Sequence, residues 1–526
     1  MNAIFMKILT ALSAFLMLFL SPGGQIRQPL ASKKCPAFFG EAAVSQPLDT
    51  EGVEELPQHP YLAKEGTNGM HGNSYNTDTY DYMGPLGINP VVKSRSMNVF
   101  GGLVATLMFD SQGRIMCISG NVVGFRLLLI DADTLEILAE TRLPQRASTI
   151  EAIKTLNFGA ISSDTSGGAY CHLLPGDRPI IGNSDNIIQI YRINESSGKP
   201  EWEVEKEWNV DKYLPEGSYL TDAMPDYENN IWFMTRPGEV GYIDAETEEV
   251  HIMKLEVDGK GEEIQNTFAV CDDGIYIVSD TAMYRFDIKE DGTPYYTWRT
   301  AYDRGTTLKP GAINQGSGTT PTLLDVPVYD KEGEGAVQVG VRKLCAITDN
   351  ADGRVNIVVY DRVTGEVVDQ EPLFTEGKSV SENSIVAYGR SFVIENNYSE
   401  SGAGFLENNP TSEPGVTRFD MNYDCTELKM AWHSNEASAT VVPKMSTQNG
   451  ILYLYTREYG NGIPKNAVAW YLTAVDFRTG ETLFKVFTGC GKNWNNSYGP
   501  ITIGPNGKAY VGVFNGLISI EDTPAK

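Results

Sequence analysis

From about residue 98 onward, apolar and polar residues alternate in short runs broken by polar turns, the pattern of brief antiparallel strands rather than helices. One unit recurs, in which an apolar strand reaches an Asp, a polar turn follows, and a second apolar strand leaves. It is seen at Leu129-Ile130-Asp131-Ala132-Asp133-Thr134-Leu135-Glu136-Ile137-Leu138 and at Tyr242-Ile243-Asp244-Ala245-Glu246-Thr247-Glu248-Glu249-Val250. It returns at Val358-Val359-Tyr360-Asp361-Arg362-Val363-Thr364-Gly365-Glu366-Val367-Val368 and at Ala474-Val475-Asp476-Phe477-Arg478-Thr479-Gly480-Glu481-Thr482-Leu483-Phe484. Weaker copies follow Asp287 and Asp420, the latter in a strand ending at Trp432. The Asp carboxylate accepts hydrogen bonds from turn amides while Gly or a polar residue takes the positive-φ position, so these residues read as turn formers.

A second hairpin precedes each Asp turn, as at Leu107–Met116, Asp226–Met234, Ala269–Val278 and Ile501–Val511, each closing around Gly or Asn. The two hairpins together give four short strands per unit, recurring about every 40 to 60 residues, which is the period of a β-propeller blade. Units fall at 98–145, 155–210, 217–257, 262–303, 315–375, 380–435 and 438–489, with a partial unit of about three strands at 495–523. A ring must close because an open sheet edge invites association, so the last unit is expected to borrow a strand from near Val91–Phe100. The expected fold is all-β: a single β-propeller of eight four-stranded blades over 98–523, with seven blades as the alternative, behind an N-terminal extension at 25–97. Thr149–Asn157 is the one helical candidate beyond the N-terminus. A length of 526 residues, which by size alone suggests about three domains, therefore reads as one.

The C-terminal repeats also carry a resemblance. Ala474 to Gly489, followed by Gly504-Pro505-Asn506-Gly507-Lys508-Ala509-Tyr510-Val511-Gly512, resembles the PQQ-like repeat of quinoprotein alcohol dehydrogenase-type propellers. In that family each blade carries an A-x-D-x-x-T-G-x-x-x-W turn and then a G-x-x-Y-V-G strand; upstream the match is partial. Asp226–Asp244 is similar instead to lyase- and lactonase-type propellers, through Asn230-Ile231-Trp232-Phe233 and Val240-Gly241-Tyr242-Ile243-Asp244. Either resemblance implies a propeller. The first does not extend to the quinone, whose family places an adjacent Cys-Cys disulfide under the cofactor, a Trp on its other face, and a Glu, Asn and Asp set around calcium. This chain has no adjacent cysteines, and its Asp-turn strands carry Phe484, Val368 or Leu138 where the family's docking Trp stands. PQQ is not expected as a cofactor.

Charge and the N-terminus narrow the setting. Acidic residues outnumber basic ones 68 to 42, a net charge of -26, which argues against nucleic-acid and anionic-membrane partners. Ile8–Leu20, preceded by Lys7 and followed by Ser21-Pro22-Gly23-Gly24, is too short to span a bilayer and reads as a secretory signal peptide at 1–24. Export to the periplasm or medium is the expectation, with no membrane span once the signal is removed. The seven cysteines (Cys35, Cys117, Cys171, Cys271, Cys345, Cys425, Cys490) lie far apart, and Cys117, Cys271 and Cys345 sit in apolar runs as inert, buried thiols.

In a propeller the innermost strands open onto the central channel, so polar residues near their starts are the candidates for chemistry. They are Asp222, Asn266, Thr319, Thr320, Glu382, Asn383, Lys444, Asn496 and Tyr498. Oxygen ligands suit a hard cation, and Ca²⁺ held by Glu382, Asn266 and Asp222 is the sharper expectation, with Thr319, Thr320, Asn383, Lys444, Asn496 and Tyr498 facing a substrate. The plainer alternative is that all of them hydrogen-bond neighbouring blades and channel water. His71, in the polar, Gly-rich run Asn68–Asp78 expected over the channel mouth, is the candidate catalytic acid or base, since imidazole titrates near neutrality. A loop histidine holding that run in place is the alternative. Asp349–Gly353 and Glu395-Asn396-Asn397 read as turns rather than calcium loops, and Asn397–Gly415 as a surface loop. The expected function is a monomeric, exported propeller that binds or transforms a small molecule at its channel, by a cation-assisted hydrolase or lyase step if it is an enzyme. A scaffold for a protein partner is the alternative, and a PQQ-dependent dehydrogenase ranks last.

Overall fold

A computed structural model describes residues 37–64, 66–97, 102–121, 124–146, 148–150, 164–399, 412–458 and 468–524. Residues 1–24, expected to be a signal peptide, Cys35, residues 151–157 of the helical candidate and residues 400–411 of the blade-six loop lie outside the described residues. Eight antiparallel blades follow one another along the chain. Blade one comprises Leu103–Phe109, Ile115–Asn121, Gly124–Ile130 and Ile137–Leu143, and blade seven Lys444–Ser446, Ile451–Glu458, Ala469–Asp476 and Thr482–Cys490. Burial orients them. In blade two His172–Leu174 is wholly buried whereas Glu201–Asn209 is mostly exposed, so the first strand lies at the hub and the fourth at the rim.

The Asp turns form as the repeat predicts. Oδ1 of Asp244 accepts from the amides of Glu246 (3.0 Å) and Thr247 (2.7 Å), and Oδ1 of Asp476 from those of Arg478 (2.8 Å) and Thr479 (2.9 Å). Asp131 and Asp361 do the same at their own turns. The weaker copies depart. Asp420 pairs with Arg418 at 2.7 Å, and Asn422 takes over the turn, its Oδ1 accepting from the amides of Thr426 and Glu427. Those same two blades carry the interblade tryptophans that the strong copies lack. Trp298 Nε1 donates to the carbonyl of Arg362 and Trp432 Nε1 to that of Phe477, both at 2.9 Å. Each indole lies against the turn glycine of the next blade, where a Cβ on Gly365 or Gly480 would come within 2.5 or 2.6 Å of the ring.

The ring closes by borrowing, as expected. Blade eight contributes Ile501–Ile503, Ala509–Val513 and Gly516–Glu521, and its outer strand is Val91–Arg95, with Val91 opposite Glu521 and Arg95 opposite Leu517. Asp522 reinforces the seam by accepting from the amides of Leu86 (2.6 Å) and Ile88 (2.9 Å).

The chain before that strand threads the hub. The amides of Leu173, Val270, Leu323, Ala387 and Met445, each on the innermost strand of its blade, donate to the carbonyls of Asn68, Ser74, Tyr75, Thr77 and Asp78. Thr79–Tyr80 then runs parallel to Lys444–Ser446 as an extra strand. Asn76 and Asp78 adopt positive φ (56° and 57°), the kind of local bend that short polar side chains tolerate, and Asn76 Nδ2 is held by the carbonyls of Phe268 and Pro321. This path carries His71 and its neighbours into the middle of the ring.

Candidate functional site

Where the threaded segment meets the inner strands, the hub retains a cavity of about 210 Å³. Its wall is largely apolar, with Leu103, Ile118, Phe125 and Phe514 among its residues. Six of the residues expected at the channel line it: His71, Asn266, Thr320, Glu382, Asn383 and Tyr498. Asp222, Thr319, Lys444 and Asn496 do not, and each is bonded into the surrounding wall. Thr319 Oγ1 accepts from the Thr348 amide at 2.9 Å, and Asn496 bonds Thr440 Oγ1 and the Gly499 carbonyl.

The expected cation set is divided by this arrangement. The Asp222 carboxylate is engaged by His172 Nε2 at 3.0 Å and by the Thr267 hydroxyl, so only Glu382 and Asn266 of the three reach the cavity. Burial pushes the Glu382 carboxyl up to about 8, against a weaker opposing pull from the Ile313 amide and from Gln265, whose Nε2 lies 3.4 Å from Oε2. Burial thus favours the protonated form of Glu382, and only two of the three expected oxygen ligands face the cavity. Among the described residues only Cys271, Asp272 and Asp273 stand close enough to share an ion, and the Asp273 carboxylate is already bonded by Lys343 (2.9 Å) and Arg362 (3.3 Å).

Ionisable groups nonetheless concentrate at the hub. Asp78 is fully buried and receives three partners: His71 Nδ1 at 2.9 Å, the ammonium of Lys444, and, through its backbone carbonyl, Met445. Lys444 Nζ also donates to the Met70 carbonyl at 2.6 Å. Burial pulls His71 below the ordinary imidazole value, outweighing the raising effect of Asp78, and it pulls Lys444 down likewise. A neutral His71 that donates from Nδ1 to Asp78 leaves the Nε2 lone pair free, and Nε2 lies 3.3 Å from Ser384 Oγ. Behind Asn383, Glu395 is pushed up to about 8 by burial and accepts from Asn383 Nδ2 (2.5 Å), Asn397 Nδ2 (3.1 Å) and Ser438. Asn266 Nδ2 is buried with no hydrogen-bond partner.

Ser384, Arg146 and Tyr170 are among the lining residues that escaped the sequence. Ser384 stands two positions beyond Glu382 and shares its run, so the spacing of that run held a signal. Arg146, stacked 4.2 Å over Phe125 and donating to the Asp164 carbonyl at 2.6 Å, and Tyr170, 3.5 Å from Asn266 Oδ1, had none.

No family model matches the chain. It is 27% identical over 327 residues to an uncharacterised protein of Archaeoglobus fulgidus, a match covering 58% of this chain and 62% of that relative's length. Among solved structures it is similar to a quinohemoprotein alcohol dehydrogenase from Pseudomonas putida, at 11% identity and a TM-score of 0.51 over 88% of this chain and 82% of the other. It is also similar to a computationally designed protein, Ika8, at 12% identity and a TM-score of 0.38 over 80% and 96% of the two chains. The resemblance to quinoprotein propellers thus holds at the level of the eight-bladed fold. The cavity does not fit the quinone of that family, because no Trp and no cysteine lines it and no two cysteines are adjacent in the sequence.

Proposed function

We propose that the protein binds a small molecule in the hub cavity and transforms it by proton transfer. One observation carries this reading: a single largely apolar cavity collects a carboxyl that burial raises to about 8, Glu382, and an imidazole that burial lowers from its ordinary value, His71. A carboxyl shifted toward its protonated form beside an imidazole shifted toward its neutral form supplies the donor and the acceptor that acid–base catalysis requires, and burial is the usual way of producing them. Thr320, Asn383 and Tyr498 supply polar contacts around them. Screening a library of small organic molecules by thermal shift tests the proposal, with Ala105→Trp, which fills the cavity, as the control. Stabilising ligands that lose their effect in A105W support it; ligands indifferent to A105W overturn it. With Asp222 held by His172 and Thr267, only two of the three expected oxygen ligands face the cavity, so added Ca²⁺ or Mg²⁺ is expected to leave the melting temperature unchanged at pH 7.

Action outside the cytoplasm is part of the proposal, on the strength of Lys7 and the apolar run Ile8–Leu20, and N-terminal sequencing of the mature protein should then begin near Gln25. Partner binding is a second reading, favoured by Val337, Val339 and Val341, exposed at alternate positions of one hairpin. Replacing the three with Ser would remove a partner while leaving small-molecule binding intact.

A further inference from the structure

The hub holds a constellation that acid–base chemistry alone does not use. Ser384 and His71 line the same cavity, Ser384 Oγ lies 3.3 Å from His71 Nε2, and His71 Nδ1 lies 2.9 Å from Asp78 Oδ1. We propose that Ser384, His71 and Asp78 form a nucleophile, base and orienting carboxylate that hydrolyse a small carboxylic ester bound in the cavity. This rests on reading the hub as a small-molecule site, and adds to it a nucleophile and a substrate class.

The roles follow from the partners. Asp78 fixes the imidazole tautomer by accepting from Nδ1, which turns the Nε2 lone pair toward Ser384. Lys444, on the same carboxylate, balances the charge that Asp78 would otherwise bury alone. His71 and Asp78 lie on the threaded segment, Lys444 on the inner strand of blade seven, and Ser384, buried, two residues before the inner strand Val386–Tyr388. Asn266 supplies a second, independent pointer to a ligand: it is 6% exposed, lines the cavity, and its Nδ2 has no partner. A buried amide donor left without an acceptor is costly unless something fills the role, and the developing oxyanion of an acyl intermediate is such an acceptor. Arg146, whose Nε is also buried without a partner in the same wall, offers a further donor to the acid product.

The step balances. Ser384 Oγ attacks the ester carbonyl carbon as its proton passes to His71 Nε2. The bond from that carbon to the alcohol oxygen breaks, and His71 returns the proton to the departing oxygen. Water, deprotonated by the same imidazole, then cleaves the Ser384 acyl ester and restores the hydroxyl, so ester and water become acid and alcohol. Neutral His71 is the form that this cycle needs at its start, and burial keeps it so.

The test uses the full chain with a fluorophosphonate, followed by intact-mass measurement and peptide mapping, alongside hydrolysis of p-nitrophenyl acetate between pH 5 and pH 9. One adduct per chain, mapped to Ser384, is expected, together with ester turnover that S384A lowers about 10³-fold or more while its melting curve matches the wild type. An unmodified Ser384 in folded wild-type protein overturns the proposal whatever the variants do, and so does turnover that survives in S384A. If the fluorophosphonate and the ester are both ignored while library molecules still bind in an A105W-sensitive way, the triad fails and the small-molecule site stands. If nothing binds the cavity either, both readings fall together.

Discussion

Replacing Glu382 with Gln should change the way the stability of the protein depends on pH. Burial raises this carboxyl from the ordinary 4.5 to about 8, so between those values the folded chain holds a proton that the unfolded chain has released. Its contribution favours folding fully below about pH 4.5 and is lost as the pH rises toward 8. Each unit of separation is worth about 1.4 kcal/mol, so the loss between pH 4.5 and pH 8 comes to about 4 kcal/mol. Gln keeps the shape of the side chain but cannot ionise, and it removes this dependence without removing that of Glu395, which is shifted the same way in both proteins. Urea denaturation followed by tryptophan fluorescence at pH 5, 6, 7 and 8 measures the difference. E382Q should track the wild type near pH 5 and exceed it by about 4 kcal/mol at pH 8. A difference between the two proteins that stays constant across that range would mean that Glu382 ionises normally, and the donor half of the proposed chemistry would go with it.

Three other perturbations probe the ring and its hub. Gly480 and Gly113 share a positive φ (75° and 78°), but only Gly480 faces an indole, so G480A should cost about 1–3 kcal/mol more than G113A in thermal melts; equal costs would refute the interblade packing of Trp432. K444M removes a buried positive charge that depresses His71, so the His71 imidazole should titrate at higher pH by NMR, and a fall would contradict the assignment. Deleting the chain through Arg95 uncovers the edge of Gly516–Glu521. Light scattering should then show concentration-dependent association and the melting temperature should drop, whereas a stable monomer would argue against closure by that strand.

The blade architecture was legible because it repeats. Asp131, Asp244, Asp361 and Asp476 mark turns whose amides have no better acceptor nearby, and the sequence writes that need out four times. The docking tryptophans were legible only in part. Trp298 and Trp432 stand within the outer strands of blades whose own turns are irregular, and each docks on the turn of the following blade, so no single unit displays both halves of the contact. At the hub, strand starts led to Asn266, Thr320, Glu382, Asn383 and Tyr498, all of which line the cavity. Asp222 was misled by a register irregularity between Leu220 and Asp222, of the kind that re-aims side chains, and it faces His172 instead. The meeting of His71 with Ser384, 313 residues away, had no periodic signature at all, because backbone hydrogen bonds to five inner strands, not hydrophobic spacing, set the path of the threaded segment.

The borrowed outer strand of blade eight also sets a timetable. Leu86 reaches Asp522 across 436 residues, and Val91–Arg95 has nothing to pair with until Gly516–Glu521 has been made. Closing so long a loop costs entropy that grows only slowly with length, but it waits on the synthesis of Gly516–Glu521 and makes the closing contact a slow, non-local one. For the same reason the threaded run Asn68–Tyr80 cannot settle onto the inner strands of blades six and seven until those blades exist. The hub cavity is therefore among the later parts of the molecule to acquire its shape, and a chain truncated just before Gly516 would carry seven of its blades without the strand on which the closing strand pairs.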